Sequence, residues 1–183
     1  MALKDIKNAI GAKLRTNKVT RAMEAVSAVK MRKTQQSALA GRAYARAALQ
    51  ILSRLSGTSD LKRHALSTTR RVENTALVVI TSDKGLAGAL NSGVLKAAAA
   101  AIEGRPKESI RVFAYGRKAD EFFSRRGYNV VKAIENKRDD VPPAVMQELS
   151  NELSAGFVAG DFDEVIAAYS NFKSTFEQIP TAR

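Results

Sequence analysis

The chain has 183 residues and contains no cysteine, no tryptophan and one histidine, His64. No disulfide, thiolate zinc site or cysteine nucleophile can form, and a single imidazole cannot build a multi-histidine metal centre. Its setting in the polar stretch 61–71 marks His64 as a solvated loop residue. Residues 2–56 lack proline altogether and hold only two glycines, Gly11 and Gly41. Acid is scarce there too. Asp5 and Glu24 stand against twelve Lys and Arg in residues 1–56, a balance of +10 out of a net +12 for the whole chain. No apolar run approaches the roughly 18 residues of a membrane span. The most apolar stretch, 95–102, is mostly alanine and too short. The N-terminus has neither the long apolar stretch of a signal peptide nor the serine-rich, acid-free character of a transit peptide. A protein on the cytosolic side of a bacterium is the simplest expectation.

The first third is rich in Ala, Lys, Arg, Leu, Met and Gln, all strong helix formers. Its larger apolar residues recur in steps of three and four, from Leu3, Ile6 and Ile10 to Leu49, Leu52 and Leu55. That spacing predicts one long amphipathic helix over 1–56. Leu3, Ile6 and Ile10 fit a heptad seam, as do Met23 and Val26, but polar Asn17 and then Val19 break the register between them. A helix of this length, about 80 Å, lies beyond the globular range and implies a coiled coil. Such a helix cannot bury its own stripe, and the rest of the chain supplies no helix of comparable length.

Residues 57–74 read as a polar, charged linker, and from residue 75 the pattern changes. The β-branched run 76–81 predicts a strand covered on both faces. Further strands are expected at 110–115, 128–134 and 163–169, with a fifth beginning over 175–179. Helices are expected at 86–102, at 117–126 with Gly127 as its C-cap, and from Pro142 and Pro143 to about 159. Alternating strands and helices indicate a mostly parallel sheet. The fold class is therefore α/β: a long N-terminal coiled-coil helix plus a small Rossmann-like domain over 75–183.

Two segments could carry chemistry. Thr81-Ser82-Asp83-Lys84-Gly85-Leu86-Ala87-Gly88-Ala89-Leu90-Asn91-Ser92 follows a strand and opens a helix, where α/β proteins bind phosphates. It matches neither G-x-G-x-x-G nor G-x-x-x-x-G-K-[ST], so a tight structural turn is expected, with Ser82 or Asp83 satisfying amides and Gly85 and Gly88 permitting close packing. Tyr115-Gly116-Arg117-Lys118 sits at a second such junction. Glu135, Asp139 and Asp140 are interleaved with Lys137 and Arg138 as a mixed-charge loop, and no carboxylate pair or serine elbow stands out. Along the helix, Lys13, Arg15, Lys18, Arg21, Lys30, Arg32, Lys33, Arg42 and Arg46 suit nucleic acid, an acidic protein sleeve or plain solvation. With Tyr44 as the only aromatic there, stacking on single strands is not expected.

Several stretches together resemble the gamma subunits of F-type ATP synthases. They are Leu3-Lys4-Asp5-Ile6-Lys7-Asn8, Lys18-Val19-Thr20-Arg21-Ala22-Met23 through Lys30-Met31-Arg32, and Thr81-Ser82-Asp83-Lys84-Gly85-Leu86-Ala87-Gly88 through Asn91. Gly116-Arg117-Lys118, Phe122-Phe123, Arg126-Gly127-Tyr128, Tyr169 with Asn171-Phe172-Lys173-Ser174, and Pro180-Thr181 continue the match in order. The resemblance implies a bacterial-type central-stalk rotor subunit, without the cysteine-bearing insert of chloroplast members. Its N-terminal helix would pair with a returning C-terminal helix inside a ring of alpha and beta subunits. Its foot would contact the epsilon subunit and the ring of c subunits. It implies no catalytic residue, no cofactor, no metal and no nucleic acid. It places the protein peripherally at the cytoplasmic side of the bacterial cell membrane, coupling proton-driven rotation to ATP synthesis and hydrolysis. Lys18, Arg21, Met23, Lys30, Arg32 and Lys33 would lie where a beta subunit is touched, and Ser82, Asp83, Gly85 and Gly88 would be a structural turn. The chain stops at Arg183, so the resemblance also implies a truncated form whose α/β domain is incomplete at its C-terminal end. A basic coiled-coil protein that binds nucleic acid is the alternative expectation.

Overall fold

The computed structural model describes residues 3–55, 63–135 and 141–183. The first part of the expected linker, 57–62, and most of the expected mixed-charge loop, 136–140, lie outside the described residues. The chain divides into two compact units, one ending at Leu55 and one beginning at Ser56.

The first unit is a single helix, α1, Leu3–Leu55, of 53 residues with no buried side chain. Its composition explains its continuity, since no proline interrupts it and alanine and long straight side chains dominate. The hydroxyls that could compete with the backbone are turned back on it. Thr16, Thr20 and Ser37 donate to the carbonyls of Ala12, Thr16 and Lys33 at 3.0, 2.9 and 3.1 Å. Leu3, Ile6, Ile10 and Leu14 share one side of the helix, whereas Val19, Met23 and Val26 fall on roughly the opposite side at 3.6 residues per turn. The break at residues 17–19 thus moves the apolar stripe around the cylinder, and all of these side chains are exposed.

The second unit is a five-stranded sheet of order β3-β2-β1-β4-β5. Its strands are β1 Thr75–Ile80, β2 Ile110–Tyr115, β3 Asn129–Ile134, β4 Glu164–Phe172 and β5 Gln178–Ala182. The first four pair in parallel, and β5 returns antiparallel to β4. The helices are α2 Leu90–Ala101, α3 Arg117–Ser124 and α4 Pro143–Ala159. Along β1, Leu77 and Val79 join a core with Val94, Leu95 and Ala98 of α2 and Ala119 and Phe123 of α3. Ala76 and Val78 join a second core with Phe113, Phe162 and Leu149 of α4. Covering both faces is why this strand is continuously apolar, as parallel sheets require. Phe123 is fully buried and meets Phe122 and Tyr128 edge to face at 5.0 and 5.3 Å, so truncating it to alanine would cost about 3–5 kcal/mol.

Three boundaries differ from the sequence expectation. The α2 helix begins at Leu90 rather than 86, because residues 86–89 form a turn. The fifth strand starts three residues later than expected, because Lys173 to Glu177 form the hairpin turn. The end of the expected linker is bound into the domain. Asp163 accepts hydrogen bonds from the amides of Glu73 and Asn74, each at 3.0 Å, and the Arg70 guanidinium lies 4.4 Å over the Phe157 ring. His64 is exposed, and its Nδ1 accepts a 3.2 Å bond from the Leu66 amide at the start of a short 3-10 turn.

Two consequences can be measured. The amides of Asn74 and Glu73, and then the Arg70 cation, hold the Asp163 carboxyl below its ordinary value of 3.8, partly opposed by burial. A depressed folded-state value means that its stabilisation is complete above 3.8 and is lost as pH falls through the lower one. Asp163→Asn should therefore lower the unfolding midpoint at neutral pH, and the gap to the unsubstituted chain should close in strong acid; a constant gap would contradict this. The exposed stripe of α1 should make the chain self-associate. The average mass in sedimentation should rise with concentration, and more so at high salt, which screens the repulsion between basic helices. A concentration-independent monomer would contradict it.

Candidate functional site

Two regions carry the expected site residues, one in each unit. On α1, the six expected contact residues are all exposed but do not share a face. At 100° per residue, Lys18, Arg21 and Arg32 fall within about 60° of one another, on the side that Leu3 to Leu14 occupy earlier in the helix. Lys33 lies at the margin of that group. Met23 and Lys30 lie on the other side, in line with the second apolar stripe. The helix therefore presents a cationic face where its first apolar stripe ends, and an apolar face with Met23 opposite it.

In the α/β domain the turn after β1 is held by its own side chains. The Asn91 Oδ1 accepts from the Ser82 amide at 2.9 Å, and its Nδ2 donates to the Ser82 hydroxyl at 2.9 Å and to the Lys84 carbonyl at 3.3 Å. The Ser82 hydroxyl also reaches the Lys84 carbonyl at 2.7 Å. Asp83 does not cap the helix that its own turn opens. Its carboxylate accepts from the Arg117 amide at 2.8 Å, while Arg117 Nη2 donates to the Asp83 carbonyl at 3.1 Å. The N-terminus of α3 thus already holds a carboxylate where an anionic ligand would bind.

The junction is sterically closed as well. Gly116 has φ 99°, and a Cβ there would come within 2.2 Å of the Thr81 carbonyl oxygen. The Thr81 hydroxyl accepts from the Ala119 amide at 2.9 Å, and the Gly116 amide donates to the Ile134 carbonyl at 2.8 Å. Three strand ends are thereby locked together. Of the two expected turn glycines, Gly88 takes a left-handed φ of 56°, while Gly85 has no positive φ. Leu86 takes one instead, at 58°, and is fully exposed.

Asn91 ties the turn together, and its role follows from its place in the first turn of α2, which the boundary expected from sequence put one turn too early. Arg117 was visible as a cation after a glycine, but its pairing with Asp83 comes from the adjacency of β1 and β2. No group of three or more His, Cys, Asp or Glu among the described residues could hold a metal ion. A groove of about 410 Å³ between α4 and the 3-10 turn is lined by Leu66, Met146, Leu149, Leu153, Phe157 and Val165, with Ser150 and Ser154 its only polar side chains, so it has no acid or base to offer a reaction.

Residues 2–183 match the family model described as ATP synthase. Among curated proteins, the ATP synthase gamma chain of Pelotomaculum thermopropionicum is 32% identical over 179 residues, which cover 98% of this chain and 63% of that one. The ATP synthase gamma chain of Bdellovibrio bacteriovorus is 34% identical over 183 residues, covering 99% and 62%. This chain spans less than two thirds of the length of these relatives. Among solved structures, the central stalk and c-ring of the Tetrahymena thermophila mitochondrial ATP synthase matches with a TM-score of 0.72 at 24% identity, over 90% of this chain and 70% of that one, which is a likeness of fold. None of these matches supports the nucleic-acid-binding alternative.

Because Asp83 fills the α3 terminus and Gly116 closes on Thr81, the turn over 82–91 should bind no nucleotide. Isothermal titration of the chain with ATP or ADP at millimolar concentration should give no saturable heat. A clear saturable isotherm would show that the junction opens.

Proposed function

The chain belongs to the ATP synthase gamma-chain family, and from that premise we propose that it acts as the central-stalk rotor subunit of an F-type ATP synthase. The observation that carries this reading is α1: a basic helix of 53 residues with no buried side chain and an exposed apolar stripe. Such a helix is built to be surrounded. Its partners in this reading are the alpha and beta subunits of the catalytic ring around the helix, with the epsilon subunit and the c-subunit ring at the foot. The protein itself carries no catalytic residue and needs no cofactor or metal. It is held at the membrane by the complex, on the cytoplasmic side of a bacterial cell membrane, and no described helix is long and apolar enough to cross a membrane.

The physical requirement for coupling is differential contact. A rotor biases each catalytic subunit only if it presents different chemistry to each as it turns. A helix with Lys18, Arg21 and Arg32 on one side and Val19, Met23 and Val26 on the other does so without any change in its own shape. The cationic side suits an acidic segment of beta, and the apolar side suits a packed neighbour.

Charge reversal tests the assignment. The triple change Lys18→Glu, Arg21→Glu and Arg32→Glu, made in the assembled synthase, should cut coupled proton pumping about tenfold, given about 0.2–1 kcal/mol for each exposed pair together with the repulsion that reversal adds. Lys30→Glu, on the other side, should have the smaller effect. Equal pumping by all variants would refute the proposed contact face.

A further inference from the structure

Residues 63–74 lead into β1 without joining the interior of the α/β domain. Arg70 and Asn74 are half-buried, the other ten are exposed, and neither apolar core takes a side chain from the segment. Burial begins abruptly one residue later, with Thr75 at 1% exposure. We infer that 63–74 is a strap that lifts from the domain as a unit while the sheet stays folded, with Arg70 and Asp163 as its latch. The device is independent of the rotor role.

The attachment is concentrated at two side chains. Asp163, just before β4, accepts the amides of Glu73 and Asn74 on one carboxylate oxygen, each at 3.0 Å. Its other oxygen lies 3.6 Å from Arg70 Nε. The Arg70 Nη2 donates to the Phe157 carbonyl in the last turn of α4, and the guanidinium covers the Phe157 ring. A cation against the final carbonyls of a helix is also where the helix dipole favours it. The Asp163 amide donates back to the Asn74 carbonyl at 2.8 Å, which makes Asn74 the hinge between strap and sheet. Among the described residues the strap's remaining hydrogen bonds are its own. The amides of Leu66 and Ser67 return to His64, so that 3-10 turn needs nothing from the domain.

The balance favours opening in one piece. Lifting the strap costs neither core a side chain, and its larger apolar residues, Leu66 and Val72, are already nearly half exposed. Segments with few buried apolar contacts open locally, far below the free energy of global unfolding. The latch is also incomplete, because the buried Arg70 Nε makes no hydrogen bond among the described residues, and an unbonded buried donor weakens the closed state. Opening has two results. Leu66 leaves the groove that it lines with Met146, Leu153 and Phe157, and an apolar side of α4 is uncovered. Twelve residues of chain are released ahead of the domain, a reach of about 40 Å at about 3.3 Å per residue. Arg70 and Asp163 thus set how much free chain precedes β1.

Residue-resolved hydrogen exchange on the full chain tests this. The Glu73 amide, bonded to the Asp163 carboxylate, reports the strap, and the amides of Leu77 and Val79 report the sheet. Glu73 should exchange at least about tenfold faster than the β1 pair, and low denaturant should accelerate only the β1 pair, because a strap exposes little surface when it opens. Phe123→Ala weakens the core away from the strap. It should accelerate β1 exchange about a hundredfold or more and leave Glu73 unchanged. Val94→Ala, in the same core, serves if that variant does not fold. Arg70→Ala should accelerate Glu73 about tenfold, and Arg70→Lys, which keeps the charge without the planar fork, should fall between. If the core variant accelerates Glu73 as much as β1, the strap leaves only when the sheet unfolds and the inference is wrong. If Arg70→Ala leaves Glu73 unchanged, there is no latch.

Discussion

The apolar surface that α1 leaves in water governs everything else about this protein. Fifteen large apolar side chains on one helix are exposed. At about 1.5–3 kcal/mol for each fully buried side chain, even partial burial of that set is worth about 15 kcal/mol or more. That equals or exceeds the whole net stability of a typical domain, about 5–15 kcal/mol. No adjustment of helix propensity or surface charge competes with a term of that size. This is a surface that a covering neighbour would stabilise, and the +10 balance of the same segment opposes pairing with a second copy at low salt. Under the proposed role other subunits surround this helix, whereas the energetics alone require only that something cover it.

The α/β domain shows the opposite economy. Its polar groups at the places where doubly wound proteins take ligands are satisfied from within. Asp83 occupies the start of α3, Asn91 and Ser82 close the turn after β1, and Gly116 lies against Thr81 so tightly that a methyl group would not fit. At the other end of the sheet, Thr75 donates to Glu164 at 2.9 Å while Arg105 binds both residues, and Asp163 gathers two backbone amides. A domain in which the usual phosphate positions are filled by its own carboxylate and amide groups is a rigid body for attachment.

Most of the architecture was legible in the residues, because β-branched runs and helical spacing report local structure directly. The run from Ala76 to Ile80 reads as a strand covered on both faces, and the Pro142-Pro143 pair marks the start of α4. What was not legible depended on three dimensions. Leu86 to Ala89 continue an apolar, helix-compatible pattern, yet a positive φ at Leu86 and at Gly88 keeps them out of α2. Asp83 precedes one helix and caps another, a choice set by β1 lying beside β2. The six expected contact residues fall within sixteen positions of the sequence, but helical geometry sends Met23 and Lys30 to the side opposite Lys18 and Arg21. The attachment of Arg70 and Asn74 to Phe157 and Asp163 spans some ninety positions, so nothing local could announce it.

The placement of cations rather than apolar residues on the Lys18, Arg21 and Arg32 face has its own logic under the proposed role. A contact that must form and break on every turn should be specific but shallow. Burying one leucine-sized side chain is worth about 1.5–3 kcal/mol and is slow to undo. An exposed ion pair is worth about 0.2–1 kcal/mol, acts over roughly 10 Å and re-forms with any acidic segment that comes within reach. The first apolar stripe ends on this side at Leu14, just before the cations begin, and Val19, Met23 and Val26 lie on the other side, while Val29 and Leu39 return to the cationic side further along. A permanent neighbour can then pack against one side of the helix while the other side trades partners. Reversing that arrangement, with the cations against the fixed neighbour and leucines against the moving one, would bury charge on one side and make the other stick.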